Sequence, residues 1–87
     1  MNDIEIDDEK RQKVRNRLAR ARGQIDAVIR MLDEDGQCLD IISQMTAATK
    51  AVDKATSSMI FAGLECCYKE DIEGDKREKL EKLFMTL

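Results

Sequence analysis

Apolar and small residues return every three or four positions through the middle of the chain. They fall at Cys38, Ile41, Met45, Ala48, Val52, Ala55, Met59, Ala62 and Cys66. That spacing traces one face of a helix, whereas a half-buried strand would alternate every second residue. The stretch from Cys38 to Cys67 contains no proline and one glycine, Gly63. It predicts a helix over about 37–69, with Cys38 and Cys67 roughly 40 Å apart at its two ends. A second stripe, Val14, Leu18, Ala21, Ile25, Val28, Ile29 and Leu32, predicts a helix over about 9–33. A third, Leu80, Leu83, Phe84 and Leu87, predicts a short helix over about 75–86.

The joints between these elements are marked. Asp7 or Asp8 can cap the first helix by accepting its free N–H groups. Asp33-Glu34-Asp35-Gly36 reads as a turn with Gly36 at the reversal, and Asp71, Gly74 and Asp75 mark a second turn. Gly23, inside the first helix, suggests the close approach of another backbone. The fold class is all-α: one domain over 1–87, an acidic lead over 1–8 and a three-helix protomer with antiparallel long helices. Two Phe, one Tyr and no Trp leave few large core residues, so association with further copies is expected.

Charge is unevenly placed. The net charge is −3, and residues 1–9 carry five acids and no base. Residues 10–30 carry eight bases against the single acid Asp26, a local charge of +7. At about 100° per residue, Lys13, Arg17 and Arg20 flank one side of the apolar stripe, and Arg11, Arg15 and Arg22 flank the other. Lys50 and Lys54, one turn apart, extend the basic surface onto the second helix. Such a surface suits phosphate, with backbone and shape readout favoured because no compact helix-turn-helix is present.

The three cysteines are the remaining chemistry. Linking two of them needs Cα atoms within about 7 Å, which excludes Cys38 with Cys66 or Cys67 of the same rod. An antiparallel second copy would lay each end beside its opposite. In a straight helix Cys67 lies about 20° out of phase with Cys38 and Cys66 about 80°, while a supercoil of 3.5 residues per turn puts Cys66 in phase. In the straight case Gly63 is in phase with Cys38, so a small gap is expected beside the thiols. The plain alternative is that these are small buried core residues. Tetrahedral zinc is disfavoured, since there is no His and no CxxC pair.

The segments RLARARGQIDAVIRMLDEDGQC and CLDIISQMTAATKA resemble the small helical repressors of the CsoR, RcnR and FrmR family. The likeness covers about residues 10–70. It implies a flat helical tetramer, a dimer of dimers, that binds operator double-stranded DNA when unliganded and releases it when a sensing site is filled. By register the copper-sensor ligands fall at Cys38, Gly63 and Cys67, so the His of those sensors is missing here, and Gln37 stands where Tyr is frequent. A two-thiol site without His is similar to the CstR branch, which senses persulfides and polysulfides. The resemblance selects Cys67 over Cys66 as the partner of Cys38. It also implies DNA-binding roles for Arg17 and Lys54, with Gln24 a weaker candidate.

The expected function is therefore a repressor in which Cys38 attacks sulfane sulfur and Cys67 of a neighbouring copy resolves it, with Cys66 a bystander or competing resolver. Cys38 opens a helix and Cys67 closes one, and that asymmetry sets the order of attack. No cofactor or bound metal is expected on this reading. The alternative is a Cu(I) sensor using Cys38 and Cys67, since soft thiolates suit that ion. A third reading is a thiol or copper carrier that does not touch DNA. No nucleophile motif or phosphate loop points to an enzyme. The acidic start and the lack of a span of about 20 apolar residues predict a cytoplasmic protein with no membrane partner.

Overall fold

The first helix, α1, spans Asp8–Asp33, and the second, α2, spans Cys38–Lys69. A computed structural model describes residues 4–86 and adds a third helix, α3, over Asp75–Met85. The protein is all-α, with no strand among the described residues. Met1 to Asp3 of the acidic lead, and Leu87 of the third apolar stripe, lie outside the described residues.

Local chemistry sets the ends of the helices. Asp7 caps α1, its carboxylate accepting from Glu9 N at 3.1 Å. The two long helices stop in the same way. Asp35 and Asp71 take the left-handed conformation, with φ of 55° and 54°. The next N–H in each case folds back on the helix: Gly36 N donates to Met31 O at 2.7 Å, and Ile72 N donates to Cys67 O at 2.8 Å. These are the 6→1 bonds of a Schellman end. The reversal therefore falls on Asp35 and not on Gly36, because aspartate tolerates the left-handed region better than most residues. Gly36 is needed for space: a Cβ there would stand 2.9 Å from Met31 O.

The two long helices run antiparallel. Lys10 near the start of α1 pairs with Glu65 near the end of α2. At the other end, Ile25 and Val28 share a groove with Met45, Ala48 and Val52. The buried residues of α1 are Val14, Ala21 and Val28, seven apart. Their counterparts on α2 include Ala48, Ala55 and Ala62, again seven apart. A seven-residue repeat keeps one seam in register along both helices. With alanine on one wall of the seam the axes can approach closely, although each alanine buries little apolar area.

That narrow seam leaves much of the apolar surface outside. Met45 and Met59, expected on the seam, are exposed, as are Leu18, Ile25, Ile29 and Leu32 of the α1 stripe. A 3.6-residue stripe is wider than the contact line of one antiparallel pair, so its margins face outward. The accessible surface is 6925 Å², against about 5,200 Å² expected for a compact 9.9 kDa chain. The radius of gyration is 16.6 Å, against roughly 12 Å for a globule of this length.

Of the two long helices, α3 packs on α2 and not on α1. Its Leu80 is half-buried, and Phe84 meets Phe61 edge to face at 5.3 Å. Leu83, expected on its apolar side, is exposed. Two further expectations change. Gly23 has nothing within 4 Å of a Cβ position, so no backbone approaches it among the described residues. Gly63 opens no gap, because Leu80 Cδ1 would lie 3.0 Å from its Cβ position.

The turn geometry gives a prediction of opposite signs at adjacent residues. Gly36→Ala forces a methyl into Met31 O and should cost about 1–3 kcal/mol. Asp35→Gly relieves the left-handed aspartate and should add up to about 1 kcal/mol. Urea unfolding at one fixed protein concentration measures both.

Candidate functional site

The antiparallel pair is a two-helix layer, and its two sides differ in chemistry. On α1, taking Ala21 as the direction facing α2, Arg17, Gln24, Lys13 and Arg20 lie about 40–100° to one side. Ile25, Leu18 and Ile29 lie about 40–80° to the other. On α2, measured from Ala55, Lys54 and Lys50 lie about 100° and 140° to one side, and Cys38 and Cys67 about 100° and 120° to the other. The grooves along the seam show which sides coincide. Lys13 and Arg17 share one groove with Ser57, Ser58 and Phe61, and Lys54 sits one turn before Ser58. Ile25 shares the opposite groove with Met45, Thr49 and Val52. The basic candidates therefore gather on one side of the layer, and the in-phase thiols lie on the apolar side.

Lys13, Arg17, Arg20, Lys50 and Lys54 are all exposed. Lys13 is partly compensated by Glu9 at 3.8 Å, and Lys10 is paired with Glu65. Exposed pairs of this kind contribute little to stability, but they lower the positive charge at the start of α1. Gln24 is half-buried, and its Oε1 is shielded without a hydrogen-bond partner. Its side chain is thus less open to solvent than those of the basic residues.

The three thiols occupy three different environments. Cys38 is the first residue of α2 and is exposed. Cys66 is half-buried and lines a wide groove with Ile6, Lys10, Lys69 and Ile72. Cys67 is completely shielded. Burial pushes the Cys67 thiol up from its ordinary value; Cys66 and Glu81 add to this, and Arg77 opposes it. Arg77 stacks over the Tyr68 ring at 4.4 Å, and its Nε donates to Glu81 at 3.0 Å. Tyr68 Oη also donates to Glu81 at 3.4 Å.

Arg77 and Glu81, which act on Cys67, and Leu80, which fills the space beside Gly63 one turn away, are groups that the sequence reading missed. The Arg77–Glu81 spacing of four was a visible signal for their pairing, but not for where α3 docks. Within one chain Cys38 and Cys67 are separated by roughly 40 Å of helix. Consistently, no group of three or more potential metal-ligating His, Cys, Asp or Glu occurs among the described residues. No described helix is long and apolar enough to cross a membrane.

A helical layer with a basic side and a thiol-bearing apolar side suits a protein that reads a polyanion on one face and a soft ligand on the other. Comparison with known proteins identifies the family. The family described as metal-sensitive transcriptional repressor matches residues 10–87, and the chain belongs to that family. The copper-sensing transcriptional repressor CsoR of Mycobacterium ulcerans is 39% identical over 64 residues, covering 74% of this chain and 54% of that protein. CsoR of Mycobacterium tuberculosis is 31% identical over 75 residues, covering 85% of this chain and 63% of that protein. The copper-sensing repressor RicR of M. tuberculosis is 33% identical over 51 residues, covering 59% and 53%. The chain thus spans between about half and two thirds of the length of these relatives. No solved structure matches it.

Exposure sets an order of reactivity. Limited alkylation of the native protein, followed by peptide mass analysis, should modify Cys38 first, Cys66 more slowly and Cys67 last. Unfolding in urea should bring the three rates together.

Proposed function

We propose that this protein is a DNA-binding transcriptional repressor whose basic side holds operator DNA and whose sensing centre is Cys38 of one copy with Cys67 of a second. The observation that carries this is the segregation of Lys13, Arg17, Arg20, Lys50 and Lys54 from the two in-phase thiols, on opposite sides of one layer. The second copy lies antiparallel on the exposed apolar side, covering Leu18, Ile25, Ile29, Met45 and Met59. The surface in excess of a compact chain supports such an assembly, and a pair of these dimers makes the tetramer.

Cu(I) is the ligand this reading favours, ahead of the persulfide put first from the sequence. The relatives named above are copper-sensing, and two thiolates are donors of the right softness for that ion. Cys38 and Cys67 would lose their protons and hold the ion between chains. Cys66, turned toward the N-terminal groove, stays outside.

One observation favours the second reading, persulfide or polysulfide sensing. Position 63 has no side chain and its space is filled by Leu80, so the centre offers two thiols and no third ligand. There the Cys38 thiolate takes a sulfane sulfur from a polysulfide, which departs one sulfur shorter. The partner's Cys67 thiolate then attacks the inner sulfur of the Cys38 persulfide, forming an intersubunit disulfide and releasing hydrosulfide.

A duplex selected from a random library by the unliganded protein supplies the probe. Stoichiometric Cu(I), without oxidant, should release it, and Cys38→Ser or Cys67→Ser should block release while Cys66→Ser does not. Release by polysulfide alone, with a crosslinked dimer on non-reducing gels, selects the second reading. No response to either rejects the thiol centre. Arg17→Ala and Lys54→Ala should weaken binding to every duplex and reduce the slope of log affinity against log salt by about 0.9 for each phosphate no longer neutralised.

A further inference from the structure

Cys67 is fully shielded by its own chain. A thiol that meets a metal ion, an oxidant or a second thiol has to become accessible, so what covers it decides when it can react. One turn back along α2, Gly63 has no side chain. Leu80 of α3 sits in the space instead, with Cδ1 3.0 Å and Cδ2 3.5 Å from the Gly63 Cβ position, and Ile4 Cγ2 borders it at 3.9 Å. Arg77 and Glu81, the other α3 groups acting on Cys67, are tied to Tyr68 at the end of α2.

The attachment of α3 suits movement. It packs against α2 and not against α1, and none of its residues is buried. It is 11 residues long, below the length at which an isolated helix holds itself together in water. Gly74 precedes it with φ 98° and ψ −154°, a backbone region open essentially only to glycine. Nothing lies within 4 Å of a Cβ position there, so the joint is unobstructed.

We propose that α3 is a lid on Cys67: the thiol reacts only when Leu80 leaves its seat against Gly63 and α3 turns away from α2 about Gly74. The role of this lid in sensing rests on the function proposed above, but the lid itself does not. With the lid closed most of the time, any ligand at Cys67 binds a minor conformation, and its apparent affinity falls by the open fraction. Occupancy of Cys67 then keeps α3 displaced, which gives the occupied protein a different shape from the empty one.

The test uses the full chain carrying Cys38→Ser and Cys66→Ser, which leaves Cys67 as the sole thiol. Dithiodipyridine reports it directly: the Cys67 thiolate attacks one sulfur, a mixed disulfide forms, and the coloured thiopyridone departs. The expected rate in native buffer is far below the rate in urea at the same pH. Leu80→Ala should raise the native rate roughly tenfold or more, as should Gly63→Ala, which crowds the Leu80 seat without touching the thiol. Leu83→Ala, on the exposed side of α3, should leave it unchanged. Circular dichroism and sedimentation identify any variant whose helices or assembly have changed, and the other seat variant then decides. Native reaction as fast as in urea overturns the lid, as does a rate that no seat variant moves or that Leu83→Ala raises equally. None of these readings uses DNA or copper, so failure of the lid and failure of the repressor reading are separate outcomes.

Discussion

The seam between α1 and α2 is the contact on which everything else depends. Val14, Ala21 and Val28 face a wall of Ala48, Ala55 and Ala62, both rows spaced by seven. Small residues allow two long rods to lie close and straight, which gives the protein a flat layer with two distinct sides. The same choice keeps the buried volume low, since no side chain larger than that of Cys67 is fully enclosed among the described residues. A layer of this kind is built to be completed by association, and its apolar side is the part that needs completion.

Much of this was legible in the residues. Helix boundaries followed from the 3.6-residue stripes and from Asp and Gly at the joints, and they fell within a residue or two of those found. The arrangement of Lys13, Arg17 and Arg20 on one flank followed from arithmetic at 100° per residue. The choice between Cys66 and Cys67 did not follow from it, because a straight helix and a supercoil put different cysteines in phase with Cys38, and only the family resemblance selected Cys67. What stayed hidden was anything set by how a broad stripe meets a narrow seam. Met45 and Met59 have the right spacing for the interior and yet face outward, because periodicity gives a direction without saying how far contact extends. Gly36 looked like the reversal, whereas Asp35 carries the left-handed backbone and the glycine relieves a clash with Met31 O.

The surroundings of Cys67 were the least legible part. Nothing local in the sequence says that an 11-residue helix after Gly74 returns to cover position 63. The sequence suggested space beside the thiols, and the fold fills it with leucine. A glycine in a helix can leave a void or accept a neighbour, and only the tertiary arrangement distinguishes them. The contrast between Cys38 and Cys67 is likewise tertiary in origin. Both sit on one face of α2, but one end of that face is open and the other is roofed.

The two-sided layer also limits the kind of control such a molecule can exert. Phosphates resting on Arg17 and Lys54 would be separated from anything held by the sulfurs by the thickness of the helices themselves, so neither could displace the other by occupying its place. Influence between them would have to pass as strain across alanine contacts, and the obligation would be mutual: whatever loosens the grip on nucleic acid must itself be held less firmly while nucleic acid is present. A three-component complex would then be sterically allowed, and the small side chains at the centre would lie on the path between the two sides.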